Sequence, residues 1–590
     1  MKPSERSSKK QSRPSQKRGK WTVAPEKEEA ALPAKAELQA VADEALQAAK
    51  EKPARSRKTS PQVATLHQER PPAPAAEIRR KILFVAAECA PLVKVGGVGD
   101  AVEGLALALA RRGHDVRVIL PFYAGIDRGK AAASLLGSCC VHMGAGQEHW
   151  IAVWEAFLGA ERVPVWLIDY QSYFGRAGVY DEPSGEYADN AFRFALLAKA
   201  SLEVCKSSAW IPDVFHVHDW PAALVPVFLK AWPHLLSPFR ASASVLTLHN
   251  VGHQGKYGSV VLPYLGLEWE RFRPDFIEDH GQINLLKAGV HEADLLTTVS
   301  PSYAEEILEP VGGCGLAPFF SERKALLRGI LNGVDESRWD PTSDPLLPAH
   351  FSAHDLAGKS RCKEDLQRHF GLPASPDLPL FAMVSRLHLQ KGIHLVRDAL
   401  PSLLREESIQ CIFLGSGERE FEEFLRGLAR EFPDKVAASI GFSEELSHRI
   451  FAGSDFFLMP SLYEPCGLSQ LYAMRYGSIP IARATGGIKN TVIDTEDPRG
   501  KGTGLLFFDP TGEGLGAACR RALQFWKGSP STLAALRAEG MKGLFSWSET
   551  ARQYEEIYTE ALRSRRAAAD SLKQGGDALR SIPFRGVMRP

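Results

Sequence analysis

Glu464 stands in the stretch richest in chemical groups, Ser461-Leu462-Tyr463-Glu464-Pro465-Cys466-Gly467-Leu468-Ser469-Gln470, which follows the apolar run Phe456-Phe457-Leu458-Met459. One carboxylate followed by the backbone amides of Cys466, Gly467, Leu468 and Ser469 suits a hydroxylated or anionic ligand where a strand hands over to a helix. A second turn, Thr485-Gly486-Gly487, comes after the strand-like Ser478–Ala482, and two such loops make a cradle. Taken singly, each is also what any strand-to-helix turn looks like. Upstream, Arg386 follows the apolar run that starts at Leu380, and Lys391 opens the next helical stretch. Two cations at such a junction suit a diphosphate, arginine binding in bidentate fashion and lysine as a point charge. Surface cations paired with neighbouring acids are the plain alternative.

The first half of the chain repeats the arrangement. Ile82–Ala87 has the pattern of a buried strand, and Lys94-Val95-Gly96-Gly97-Val98-Gly99-Asp100 leads from it into an Ala- and Leu-rich helix ending at Gly113. The glycines let a ligand approach the helix N-terminus, where Lys94 adds a positive charge. Their spacing is not the dinucleotide fingerprint, so a phosphate-bearing ligand other than NAD is expected. Val214–Asp219 and Ser244–Asn250 are further strands that end in polar groups, Asp219 in one and His249 with Asn250 in the other. His216 and His218 fall on one face of a strand, yet no third ligand cluster accompanies them, and no metal is expected. A structural histidine is the default for any one of these positions. Three successive strands with polar ends at one edge outweigh that default.

These groups need elements to hold them. The 590 residues exceed one core, and the strand, loop and helix succession occurs twice, predicting two doubly wound α/β domains. We expect a first domain over 79–330, a second over 331–545, and a helix over 546–565, carrying Tyr554 and Tyr558, that packs back on the first domain. Residues 1–78, rich in Lys, Arg, Ser, Pro, Ala and Glu with few aromatics, read as a disordered tail with a transient helix over 36–50, and 566–590 as a flexible one. The basic start also fits a partner-binding arm or a transit peptide, although its glutamates argue against the latter. A net charge of +1 gives no signal for nucleic acid or membrane, and neither is expected as a partner. The nine scattered cysteines lack any CxxC pair and imply reduced thiols in a reducing compartment.

Lys94-Val95-Gly96-Gly97-Val98-Gly99-Asp100, His218-Asp219-Trp220, His249-Asn250 with Gln254-Gly255, Ser385-Arg386-Leu387 with Gln390-Lys391-Gly392, Glu464-Pro465-Cys466-Gly467-Leu468 and Thr485-Gly486-Gly487 stand in one order. Together they resemble the bacterial glycogen synthase and plant starch synthase family over roughly residues 80 to 562. The resemblance implies a GT-B fold, two Rossmann-like domains facing across a cleft. It also implies retaining transfer of glucose from ADP-glucose to the non-reducing end of an α-1,4-glucan such as glycogen, without cofactor or metal, in a bacterial cytoplasm rather than a plastid. By the same resemblance, Arg386 and Lys391 neutralise the departing diphosphate, while Lys94, Gly96 and Gly97 face it from the first domain and Thr485, Gly486 and Gly487 assist from the second. Glu464 and the amides of Cys466, Gly467 and Leu468 grip glucose hydroxyls. His249 lies at the 6-hydroxyl and anomeric region with Asn250 beside it, and Asp219 lies near sugar or acceptor. Val95 stands where the family usually has Thr, and His253 where an aromatic is common.

Competing readings are a UDP-glucose-using transferase of this fold, a sugar-nucleotide epimerase, and a non-catalytic glucan-binding protein. The last predicts loss of Arg386, Lys391 or Glu464, and all three are present. Oligomeric state is not legible.

Overall fold

The computed structural model describes residues 79–580 apart from 183–184, 232–237, 499–500 and 544, and only the backbone path over 568–580. The tail expected over 1–78 lies outside the described residues, as do 581–590. The strands that matter here are, in chain order, Lys81–Val85 (β1), Asp115–Pro121 (β2), Ser134–His142 (β3), Glu148–Leu158 (β4), Val163–Asp169 (β5), Val214–His218 (β6), Ala243–Leu248 (β7), Leu295–Thr298 (β8) and Leu327–Gly329 (β9). Leu380–Val384 (β10), Gln410–Gly415 (β11), Val436–Ile440 (β12), Phe456–Met459 (β13), Ile479–Arg483 (β14) and Leu505–Phe507 (β15) follow.

The first nine form one sheet in the order β9-β8-β7-β6-β1-β2-β5-β4-β3, parallel throughout except where β4 pairs antiparallel with β5 and β3. The last six form an all-parallel sheet in the order β12-β11-β10-β13-β14-β15. Parallel strands covered by helices on both faces favour apolar residues on both sides, which is why Ile82–Val85 of β1 and all of β13 are buried apolar runs, while β6 is buried throughout with His216 and His218 as its polar members. In the second sheet the chain runs outward from β10 to β12 and then returns to the other side of β10 as β13. The order therefore reverses between β10 and β13, where loops diverge at the carboxyl ends and leave a crevice. The first sheet reverses likewise between β1 and β6. Arg386 and Glu464 fall in the loops that flank one reversal, and Lys94 and Asp219 in those that flank the other.

The helix Gly97–Arg111 lays Ala101, Val102, Leu105, Ala106, Ala108 and Leu109 against the first sheet, a stripe at helical spacing, and stops where Gly113 takes φ +90°. The last helix, Trp547–Arg580, buries Trp547, Ala551, Tyr554, Ile557, Tyr558 and Ala561 in the core of the first sheet. Arg80 reaches the carbonyl of Glu555 and the hydroxyl of Thr559, and Arg112 pairs with Glu555 at 2.6 Å. This helix continues past residue 565, where the sequence reading ended it. Arg563–Lys573 is built of strong helix formers with no proline before Pro583, and Gly575-Gly576 does not stop it. Among the described residues no helix is long and apolar enough to cross a membrane, and none of the nine cysteines forms a disulfide.

Gly104 is where the first helix meets the last: a Cβ there would lie 2.2 Å from the Trp547 ring. Helix propensity alone favours alanine over glycine by about 1 kcal/mol, while overpacking costs about 1–3 kcal/mol. Gly104→Ala is therefore expected to lower the thermal unfolding midpoint. Gly427→Ala, in a helix with open space at the same position, is expected to raise it. A midpoint raised in both variants would mean that Trp547 does not clamp the first helix.

Candidate active site

Charge gathers at the β10/β13 reversal. The Nζ of Lys391 lies 2.6 Å from Oε2 of Glu464, an oxygen that also accepts from the hydroxyl of Ser461 at 3.1 Å. Both partners are largely buried, which strengthens their attraction but also raises the cost of leaving either unpaired. The amide of Leu462 donates to the carbonyl of Gln390, tying the two loops together. Arg386, by contrast, is exposed and has no ion-pair partner among the described residues. The Thr485–Gly487 turn rests directly on the Glu464 loop: the amide of Gly487 donates to the carbonyl of Glu464 at 3.0 Å. A Cβ on Gly486, which has φ +43°, would sit 2.0 Å from that same carbonyl oxygen. Only glycine permits that approach. Cys466 is buried and its thiol is pushed up to about 12 by that burial, so it is a packing group and not a nucleophile. Its carbonyl and that of Gly467 accept from the side-chain amide of Gln470.

The facing edge of the first sheet is built of neutral groups. Asp219 adopts φ +53° just after β6, and its Oδ1 accepts the amides of His249 at 2.7 Å and Asn250 at 3.4 Å. The carboxylate thereby fixes the loop after β7. Burial raises its pKa to about 7, against the lowering effect of those two amides. His249 is depressed to about 3 by burial and stays uncharged at neutral pH. Its Nε2 lies 3.0 Å from Nδ1 of His218, whose own pKa burial also pushes well down. Between two neutral rings one nitrogen must donate. Nε2 of His218 is buried without a partner, and a bare lone pair there is cheaper than an orphaned N–H. The network thus assigns the proton to Nδ1 of His218, which donates to His249 and leaves the proton of His249 on its own Nδ1. His216 has both nitrogens engaged, Nδ1 at 2.8 Å from the hydroxyl of Tyr558 and Nε2 at 2.6 Å from Thr247, so this histidine pair is packing and hydrogen bonding rather than metal ligation.

The glycine-rich loop after β1 is held from below by Glu88, which the sequence reading missed. Its Oε2 accepts the amides of Val95 at 2.6 Å and Gly96 at 2.9 Å, and its Oε1 accepts the hydroxyl of Tyr180. Lys94 pairs with Asp100 at 2.8 Å while remaining one-third exposed. Of the predicted loop amides, Gly96 is therefore engaged within the protein, and those of Gly97 to Gly99 begin the helix.

The two edges meet. Leu468 lies 3.7 Å from the Cβ position of Gly97, and the hydroxyl of Ser300 donates to the carbonyl of Pro465 at 2.5 Å. The hydroxyl of Tyr463 and Oδ1 of Asn250 both border Gly252, 3.3 and 3.1 Å from its Cβ position. Glu306 accepts the amide of Gly486 at 2.9 Å and pairs with Lys489 at 2.7 Å. His253 is lowered first by burial and next by the charge of Arg386. The predicted residues therefore assemble into two clusters on opposing edges: Lys391, Glu464, Cys466, Gly467, Leu468, Thr485, Gly486 and Gly487 with Arg386 beside them, and Asp219, His249 and Asn250 with the Lys94 loop. Glu88, His218, Glu306 and Tyr463 complete them. An acid directly after a buried strand and ahead of a glycine loop was the available signal for Glu88; the others needed the folded chain.

Residues 81–322 match the family model described as starch synthase catalytic domain, and 366–529 that described as glycosyl transferases group 1. Glycogen synthase 1 of Geobacter sulfurreducens is 42% identical over 488 residues, covering 82% of this chain and 97% of that protein. The glycogen synthase of an Anaeromyxobacter species (strain Fw109-5) is 44% identical over 479 residues, 81% and 98% of the two chains. Among solved structures, the catalytic domain of starch synthase IV from Arabidopsis thaliana, bound to ADP and acarbose, superposes with a TM-score of 0.76 at 34% identity over 82% of this chain and all of that one. Sucrose-phosphate synthase from Thermosynechococcus elongatus, at 19% identity and a TM-score of 0.52, shares the fold alone. Two facing doubly wound sheets, the cations at the second reversal and relatives spanning both halves together place this chain in the glycogen synthase and starch synthase family, glucosyltransferases of the GT-B fold.

Proposed function

We propose that the cleft binds ADP-glucose and adds its glucose to the non-reducing end of an α-1,4-glucan, with retention at the anomeric carbon. The observation that carries this reading is the pair of cations, Arg386 and Lys391, at the reversal point, with Glu464 in reach of one of them. Arg386 and Lys391 take the diphosphate, doing by fixed charge what a divalent ion does in other transferases. Lys94 and Gly97 approach the same phosphates from the first domain, and Thr485 steadies them from the second. Glu464, released from Lys391 as the phosphates arrive, accepts from glucose hydroxyls, and the amides of Cys466, Gly467 and Leu468 add donors.

The bond from the anomeric carbon to the ADP oxygen breaks on the face the acceptor enters. The acceptor hydroxyl oxygen forms the new glycosidic bond, and its proton passes to the departing phosphate. Positive charge that builds on the sugar is met by the neutral, uncharged edge of His249 and Asn250 rather than by a repelling imidazolium. His249 donates from Nδ1 to a sugar hydroxyl, and Asp219 holds its loop in place. Contact between the two edges excludes water.

Incorporation of glucose into glycogen from ADP-glucose and from UDP-glucose, in parallel, tests the reading. We expect transfer from ADP-glucose, and a loss of about 10²–10³ in kcat for Lys391→Ala and for Arg386→Ala, the size seen when one charge-stabilising donor is removed. No transfer from either donor by the folded, primed enzyme would refute it. The pH profile gives a second check. Asp219, raised to about 7, loses its charge below that value and then holds the His249 and Asn250 amides less strongly. Activity is expected to fall as pH drops through about 7, and His249, at about 3, contributes no limb between pH 5 and 8. In Asp219→Asn the plateau drops and the limb disappears; an unchanged limb in that variant would assign the titration elsewhere.

A further inference from the structure

The β3–β4 hairpin lies at the far edge of the first sheet and takes no part in the cleft described above. Cys140 and His142 stand two residues apart on β3, so their side chains share a face. Glu148 begins β4 directly opposite His142, which brings it to that face too. Nε2 of His142 lies 3.3 Å from Oε1 of Glu148 and 4.0 Å from Sγ of Cys140, and the three donor atoms all fall within 4.8 Å of one another. A tetrahedral zinc with its usual bond lengths sets a nitrogen and an oxygen about 3.4 Å apart and a sulfur and a nitrogen about 3.6 Å apart. The observed separations are within a small side-chain adjustment of those edges.

The hairpin holds these donors on a fixed backbone. On its inner face His149 is buried between the hydroxyls of Tyr170 and Tyr264, at 3.0 and 3.1 Å. At the turn the amide of Met143 donates to the carbonyl of Gln147 at 2.8 Å, and that of Gly144 to Tyr264 at 2.8 Å. A Cβ on Gly144 would lie 2.0 Å from the carbonyl of Pro263, so the turn is pressed onto the chain beneath it. Cys139 points to the other face. One thiol, one imidazole and one carboxylate on a rigid ribbon, with His142 and Glu148 open to solvent, form a set that no hydrogen-bonding role in the fold requires.

We propose that Cys140, His142 and Glu148 form a three-ligand binding site for a borderline divalent cation of the zinc class, with the fourth position open to water. The sulfur, nitrogen and oxygen donor set disfavours the hard cations magnesium and calcium, which take oxygen ligands. On binding, the thiol of Cys140 gives its proton to solvent as the metal–sulfur bond forms, so affinity rises with pH.

Titration of the full chain, free of any affinity tag, with Zn²⁺ by calorimetry and with Co²⁺ by absorbance tests this. The expected result is one equivalent that Cys140→Ser and His142→Ala each weaken by about tenfold or more, with a thiolate-to-cobalt charge-transfer band that Cys140→Ser removes. Cys139→Ser, on the opposite face, is expected to retain both. Magnesium is expected not to compete. Equal stoichiometry and affinity in the wild type and the Cys140→Ser/His142→Ala double variant, or no Zn²⁺ bound at about 100 μM, would overturn the proposal and leave the group as a surface imidazole–carboxylate pair of the ordinary weak kind.

Discussion

Lys391 and Glu464 meet across the point where the strand order of the second sheet reverses, and the rest of the site depends on that meeting. Neither residue could be placed there by its own segment. Lys391 comes from the loop after β10 and Glu464 from the loop after β13, and it is the return of the chain to the far side of β10 that sets them 2.6 Å apart. Parallel pairing puts both loops at the same end of the sheet, and the buried apolar strands beneath leave them no other direction to grow. The Thr485–Gly487 turn, from the next strand, then packs on the carbonyl of Glu464 because glycine alone tolerates the contact.

The two facing edges differ in kind. Cationic charge sits on the second, where Arg386 and Lys391 are held, while the first presents histidines that burial keeps neutral and an aspartate that burial brings to about 7. This division follows from solvation. Imidazoles packed beside Phe84, Tyr554 and Tyr558 cannot take up a second, charging proton without a desolvation cost that burial imposes. The last helix, which supplies both tyrosines, therefore contributes to the electrostatics of the cleft although its residues lie under the sheet.

Much of this was legible in the sequence because parallel strands buried on both faces write themselves as unbroken apolar runs, and each run here ends in a residue of distinct chemistry: Arg386, Glu464, Asp219, His249. The β3–β4–β5 section was not. β3 is an edge strand whose first half is exposed, so it has no continuous apolar signature. The last helix was ended at 565 in the sequence because the apolar stripe stops at Ala561 and Leu562, whereas the Ala- and Arg-rich stretch that follows, without a proline, carries the helix on to Arg580. Glu88 and Glu306, and the role of His218 towards His249, escaped notice for another reason. His218 and Glu306 act through partners distant in sequence, His249 and Gly486, and no local pattern announces a hydrogen bond across the fold; Glu88 binds the amides of Val95 and Gly96 only seven and eight residues on, and its place after a buried strand was the one local signal.

Glu88 and Glu306 also bear on how an anion would enter. Several positively polarised groups of the cleft face a carboxylate of the protein itself: Lys391 faces Glu464, Lys94 faces Asp100, the amides of Val95 and Gly96 face Glu88, and the amide of Gly486 faces Glu306. Arg386 stands apart from this pattern. A buried cation or amide without a partner is costly, and internal acids remove that cost. A diphosphate that reached Lys391 would then exchange one charge-assisted contact for another rather than gain a wholly new one, so its net binding energy is smaller than the number of cations suggests. The same exchange frees Glu464. Displacing one acid by phosphate thus couples the arrival of the nucleotide to the exposure of the carboxylate that would hold the sugar, through a single lysine.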